Sequence, residues 1–200
     1  MPFISNGTTI LDNGAFSVSL GNQILISEQT ASSSASVSFT SGLDSTYPIY
    51  KFEFINMHPA TDNVAFQFQT STDGGSNYNV TTTTTLFDAY HNEADNVTNL
   101  LYQTAQDAAQ STSLLNISIQ IGNDNDQSLS GTFNLFNPSS TTYVKHFLAN
   151  THRYDASDYA INVFTAGYAN TTSAINAIQF KMSSGNIDDG TIKLYGIKDS

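Results

Sequence analysis

The chain has no cysteine, no tryptophan and only six lysine or arginine residues among 200. Each scarcity argues against a class of function. Without cysteine there is no disulfide, no thiolate nucleophile and no cysteine-ligated zinc, and folding needs no oxidising compartment. The first cation is Lys51, and six in all cannot build a basic patch. Phosphate recognition needs several clustered cations, so neither a nucleic-acid partner nor a polybasic membrane contact is expected. No apolar run approaches the roughly 20 residues of a spanning helix. The opening residues, MPFISNGTTILDNG, have neither a basic n-region nor a long apolar h-region, so no signal peptide is expected. Charged residues of both signs together make up 12%, about half the usual share.

Polarity comes instead from uncharged residues: 25 Ser, 24 Thr and 20 Asn. These suit turns and the solvent side of strands, and they are poor helix formers. Hydrophobic residues reach 39%, enough for a core, and 13 Phe with 10 Tyr supply its bulk. The net charge of −11 predicts an acidic surface.

Period-two alternation recurs along the chain. In residues 174–198, AINAIQFKMSSGNIDDGTIKLYGIK, Ile178, Phe180 and Met182 alternate with Gln179 and Lys181. After a Gly/Asn/Asp turn, Ile192 and Leu194 alternate with Thr191 and Lys193. This predicts a closing hairpin whose apolar side seals the core. Residues 15–20 and 23–27, around Gly21-Asn22, predict another hairpin. Residues 30–36, TASSSAS, have linker composition but pass into a strand with Ala35, Val37 and Phe39 on one face. The expected division is an N-terminal arm or edge hairpin, residues 1–28, and a β-sandwich domain, residues 29–200, with residues 1–14 able to dock on a neighbour.

Within the domain, Tyr50, Phe52 and Phe54 mark a strand ended by Pro59, and Val64, Phe66 and Phe68 mark the next. Asp73-Gly74-Gly75 predicts a hairpin turn into residues 78–90, whose threonine run is good strand material. Residues 91–110 lack alternation and concentrate Ala, Gln, Glu and Leu, which predicts a short helix or a long excursion. Alternation resumes at residues 115–121, 129–135, 143–148 and 159–167. The expected fold is all-β: an antiparallel β-sandwich, jelly-roll-like, of about ten short strands with one helical or long-loop excursion.

Candidate chemistry is sparse. His58, His91, His146 and His152 carry no metal-binding spacing. Asp124-Asn125-Asp126 with Ser128 starts like a calcium loop, but Leu129 stands where such a loop needs glycine. Asp188 and Asp189 are adjacent in the final turn, where carboxylates diverge instead of facing each other across a substrate. There is no GxSxG elbow and no phosphate-binding GxxxxGK[ST] loop. Five Asn-X-Ser/Thr triplets match what chance gives in so Asn-, Ser- and Thr-rich a chain. No catalytic, metal or cofactor-binding residue is therefore assigned, and the chain is not expected to be an enzyme. Tyr102, Tyr154 and Tyr168 fall near polar turns, a composition shared by protein interfaces and sugar-binding surfaces.

Three blocks carry a resemblance: YKFEFINMHPATDNVAFQFQTSTDGGSNYNVTTTTTLFDAYH at residues 50–91, LSGTFNLFNPSSTTYVKHF at residues 129–147, and the closing block at residues 174–198. They resemble the virion structural proteins, capsid decoration or tail-associated, of tailed bacteriophages infecting marine bacteria. The similarity covers the chain from residue 29 onward. It implies a non-enzymatic, many-copy component of the virion, made in the host cytoplasm and homo-oligomeric. The leading expectation is a capsid decoration (cement) protein that bridges capsomers, with the major capsid protein or other virion proteins as partner. The alternative is a tail- or fibre-associated module that binds host-surface glycans through residues 91–110 and the tyrosines near Tyr154.

Overall fold

The computed structural model describes residues 3–5, 8–12, 15–16 and 22–198. Among them every regular element is a strand, every strand pairing is antiparallel, and there is no helix. Strands β1 (Phe3–Ser5), β2 (Thr8–Asp12) and β3 (Ala15–Phe16) form a sheet of their own in that order. Then come β4 (Gln23–Ser34), β5 (Val37–Phe39), β6 (Ile49–Pro59), β7 (Val64–Ser71), β8 (Thr82–Asn92) and β9 (Thr98–Tyr102). They are followed by β10 (Leu115–Ile121), β11 (Leu129–Phe136), β12 (Lys145–Tyr154), β13 (Tyr159–Ala169), β14 (Ala177–Met182) and β15 (Ile187–Ile197). These twelve make an eight-stranded sheet, β4-β15-β6-β11-β12-β13-β8-β9, and a four-stranded sheet, β10-β7-β14-β5.

The core lies between the two sheets, where the alternating apolar residues of both meet. Phe180 on β14 sits at its centre. Its ring centroid lies 6.4 Å from Phe39, 5.3 Å from Phe52, 5.1 Å from Phe54, 5.9 Å from Phe66 and 6.2 Å from Phe133. Phe39 and Phe66 come from the small sheet, and Phe52, Phe54 and Phe133 from the large one.

Several expectations change on this frame. The closing block is not a hairpin. Strand β14 pairs with β5 and β7, whereas β15 pairs with β4 and β6 in the opposite sheet. A Gly/Asn/Asp turn reports only that the chain reverses. Here both strands turn their apolar sides toward each other across the core, so they cannot share a sheet. The residues expected to seal the core do so: Ile178, Phe180, Ile192 and Leu194 are fully buried. Asp188 and Asp189 lie within β15 and not in the turn, and Ser33 Oγ donates to Asp188 Oδ1 at 2.8 Å. The turn at Asp73 likewise carries the chain from one sheet to the other.

Residues 30–34, of linker composition, belong to β4, which runs unbroken through residues 28 and 29. Of the expected hairpin at 15–20 and 23–27, residues 17–21 lie outside the described residues, and Ala15–Phe16 pairs with β2. The helical option for residues 91–110 is replaced by an edge strand, β9, paired to β8, followed by turns.

The sheets are unequal, and this inequality creates the surfaces of interest. Strand β10, at one edge of the small sheet, packs against β12 and β13. Strands β8 and β9 therefore extend beyond the covering layer. Part of the gap is closed by residues 103–111, which continue along β8: Gln103 N donates to Leu86 O, Thr84 N to Ala108 O, and Thr82 and Ser111 exchange both backbone bonds. Asn116 on β10 fastens this segment to the small sheet through Gln106. The rest of the overhang stays open.

Candidate functional site

Under the overhang lies a cleft of about 430 Å³. Its inner wall is built from inward-facing residues of β8, β9, β12 and β13, because neighbouring strands present the same side at each rung of the ladder. Asp88 stands opposite Leu101 and Tyr90 opposite Asn99, while Ile161 lies beside both Tyr90 and Arg153. Under the cleft, Leu86, Ile161 and Val163 form a small apolar cluster of their own, with Tyr90 and Tyr159 packed against it. The two tyrosine rings meet edge to face at 5.7 Å.

Polar groups share that wall. Asp88 is buried and accepts from the Gln103 side-chain amide through both oxygens, at 3.1 and 3.0 Å. Arg153 is fully buried. Its two terminal nitrogens reach Ser118 Oγ and Gln120 Oε1, both at 3.5 Å, and its Nε has no hydrogen-bond partner. Burial pushes its guanidinium down to about 10, against the opposing pull of the Asp88 and Asp155 carboxylates. Asp155 Oδ1 is held by the backbone amides of Ser157 and Tyr159, at 2.9 and 3.1 Å. The result is an amphipathic slot in which hydrogen-bonding groups of both polarities stand beside rings and aliphatic groups on one sheet face.

The opposite, outward side of the same strands carries an apolar patch among polar residues. The Phe87 and Phe164 rings stack at 5.0 Å and 13°, and both are more than a third exposed. Leu148 (52% exposed), Leu100 (67%) and Tyr102 (46%) stand near them. A depression of about 310 Å³ lined by Phe87, Leu148, Phe164, Thr132 and Asn150 runs through this patch.

The residues singled out from sequence fall elsewhere. His91 and His152 do come together, lining an outward depression of about 320 Å³ with Glu93 and Tyr154. His91 Nε2 lies 3.0 Å from Asp95 Oδ1, and His58 Nδ1 lies 2.7 Å from Gln127 O. The His146 ring lies 6.3 Å from that of Tyr168. Among the described residues no three His, Asp or Glu side chains converge as metal ligands. Asp124 N donates to Gln127 Oε1 in a turn. Tyr102, Tyr154 and Tyr168 all face outward from the large sheet, on different rungs. Tyr102 donates to Asp107 at 2.5 Å and Tyr154 to Asp158 at 2.9 Å, and the latter bond holds the Tyr154 phenol well above its usual range.

Val97, Leu101 and Gln103 lie in the 91–110 stretch named for glycan binding; the remaining cleft residues escaped the sequence reading, yet one signal was present. Lys145 and Arg153, two of the six cations, share the core-facing register of β12 with Phe147, Ala149 and Thr151. A cation in an apolar register is a reason to look for a partner. Lys145 satisfies that need by donating to Thr171 O at 3.0 Å, whereas Arg153 does so incompletely.

Comparison of the chain with protein-family models, with curated proteins and with solved structures finds no match. The functional reading therefore stands on the geometry above and on the sequence blocks that carry the phage resemblance.

Proposed function

We propose that the protein is a non-enzymatic structural component of a bacteriophage particle, a capsid decoration protein that docks on the capsid through the outward face of β8, β9, β12 and β13. The observation that carries this reading is the exposed patch of Phe87, Phe164, Leu148, Leu100 and Tyr102. Large apolar side chains grouped on a flat sheet mark a protein-binding surface, and aromatic anchors dominate the energy of such surfaces. The resemblance of the sequence blocks implies the major capsid protein or another virion protein as partner. A cement protein works by adding interface free energy across capsomer boundaries, and a specific contact buries on the order of 1,200–2,000 Å².

The proposal includes a jelly-roll winding, which the pairing order supports. With β8, β9, β12 and β13 set aside, the remaining strands pair first with last: β4 with β15, β5 with β14, β6 with β11, β7 with β10. A long hairpin rolled onto itself pairs in this nested way, giving two sheets of four.

Quantitative protein analysis of purified virions, with co-sedimentation on capsids lacking the protein, tests the function. Hundreds of copies per particle, and loss of binding by a Leu148→Glu/Phe164→Glu variant that melts like the parent, are expected. A few copies per particle, or undiminished binding by the variant, would overturn the docking surface.

A further inference from the structure

We infer that the cleft beneath β8 and β9 is a saccharide site that holds one neutral hexopyranose unit. This goes beyond capsid docking, which uses the opposite face of the same strands. Arg153 is the strongest argument. A buried guanidinium carries five N–H donors, and this one has two contacts at the outer limit of hydrogen-bond distance and an unpartnered Nε. Such a group weakens the fold unless something completes its shell. It lies fully buried at the floor of an open cleft of about 430 Å³, within the range of small-ligand pockets.

The chemistry around Arg153 selects the ligand class. Asp88 spends only part of its acceptor capacity on Gln103, since an ionised carboxylate offers about four acceptor sites. Donors and acceptors interleaved along one wall match vicinal hydroxyls, each of which both donates and accepts. Tyr90, Tyr159 and Leu101, beside those groups on the same sheet face, suit the C–H face of a pyranose ring. Charge excludes the obvious competitor. One guanidinium faces two carboxylates, Asp88 and Asp155, in a chain of net charge −11, so a phosphate or a uronic acid is repelled where a neutral polyol is not. The cleft opens at the edge strand β9, which leaves room for the rest of a polysaccharide to run outward.

The test is saturation-transfer NMR on the full chain, with the methyl pyranosides of glucose, galactose and mannose as probes and methyl glucuronoside as the anionic counter-probe. At least one neutral pyranoside should receive saturation through its ring C–H protons. Leu101→Asp and Val97→Asp, changes of exposed side chains at the cleft rim, should remove or sharply reduce the signal. Asp88→Asn should weaken binding about tenfold or more, as loss of a charged acceptor does. Leu148→Glu, on the outward face, should leave it unchanged, which separates this site from capsid docking. Absence of transfer to every neutral probe, equal transfer in the parent and the rim variants, or preference for the glucuronoside would each overturn the inference.

Discussion

Replacing Phe180 by alanine should come close to separating the two sheets. The ring is fully buried, and five other phenylalanine rings drawn from both sheets lie between 5.1 and 6.4 Å from it. Phe→Ala in a core costs about 3–5 kcal/mol through lost burial and the cavity left behind. The upper part of that range applies here, because rings on both sides lose a partner and edge-to-face pairs each add about 0.5–1.5 kcal/mol beyond burial. A domain holds only about 5–15 kcal/mol of total stability. With a urea slope of about 2 kcal/mol per molar, the midpoint should fall by about 2 M. Urea titration followed by far-UV circular dichroism reads this directly, and tyrosine emission gives a second probe free of tryptophan, which the chain lacks. Phe87→Ala is the control: its ring is 38% exposed on the outward face, so its loss should move the midpoint by a small fraction of that shift. Equal shifts for the two variants would refute the placement of Phe180 at the centre of the core.

Truncation after Gly185 removes β15, which lies between β4 and β6 and is the only sheet neighbour of β4, so the product should be insoluble; a soluble fragment that unfolds cooperatively would refute this. Gly190→Ala should lower stability by about 1–3 kcal/mol, because its φ of +124° suits glycine and a Cβ would meet Asn56 O and Met57 Cα, both at 2.8 Å. An unchanged melting temperature would count against that geometry. Asp73 is held at about 2 by hydrogen bonds from the Ser71 hydroxyl, the Asn77 side chain and the Asn77 backbone. Its folded value lies below its unfolded one, so its contribution is complete above the ordinary carboxylate range and is lost as pH falls toward 2. The stability gap between the parent and Asp73→Asn should therefore shrink between pH 5 and pH 2, and a gap independent of pH would refute the assignment.

Burial decided which strands were legible. Where one side of a strand meets the core, alternation is enforced residue by residue, and β6, β7, β10, β11, β12, β14 and β15 all show it in sequence. Strand β9 has exposed residues along its whole length, so nothing imposes period two, and TNLLY reads as an excursion. The polar end of β4 escaped for a related reason: as an edge strand with short side chains facing solvent, it has linker composition without linker conformation. Sheet membership was illegible altogether, since a turn signal is the same whether the chain pairs with itself or crosses the core. The candidate cleft inherits that limit. Asp88 and Arg153 become neighbours only because β13 lies between β8 and β12, a long-range pairing that no local pattern encodes.

Setting the nested strands apart from the inserted ones explains why both candidate surfaces occur where they do. The nested pairs supply most of the aromatic core: Phe39, Phe52, Phe54, Phe66, Phe133 and Phe180 lie on β5, β6, β7, β11 and β14, and Phe147 of β12 stacks on Phe133. Strands β8, β9, β12 and β13 add four strands to one sheet and none to the other. Of these, β12 and β13 pack against β10, whereas β8 and β9 extend past it and have two faces that must each be covered or justified. Here the inner face is covered near Thr82 and Thr84 by residues 103–111, and beyond them it opens into the cleft that holds Arg153 and Asp88. The outer face carries stacked Phe87 and Phe164 in solvent. Charge in a core register and aromatic rings in a solvent register both lower stability in isolation, and both occur on the strands that the nested framework does not need. Their placement favours two binding surfaces back to back on one extension of the sheet.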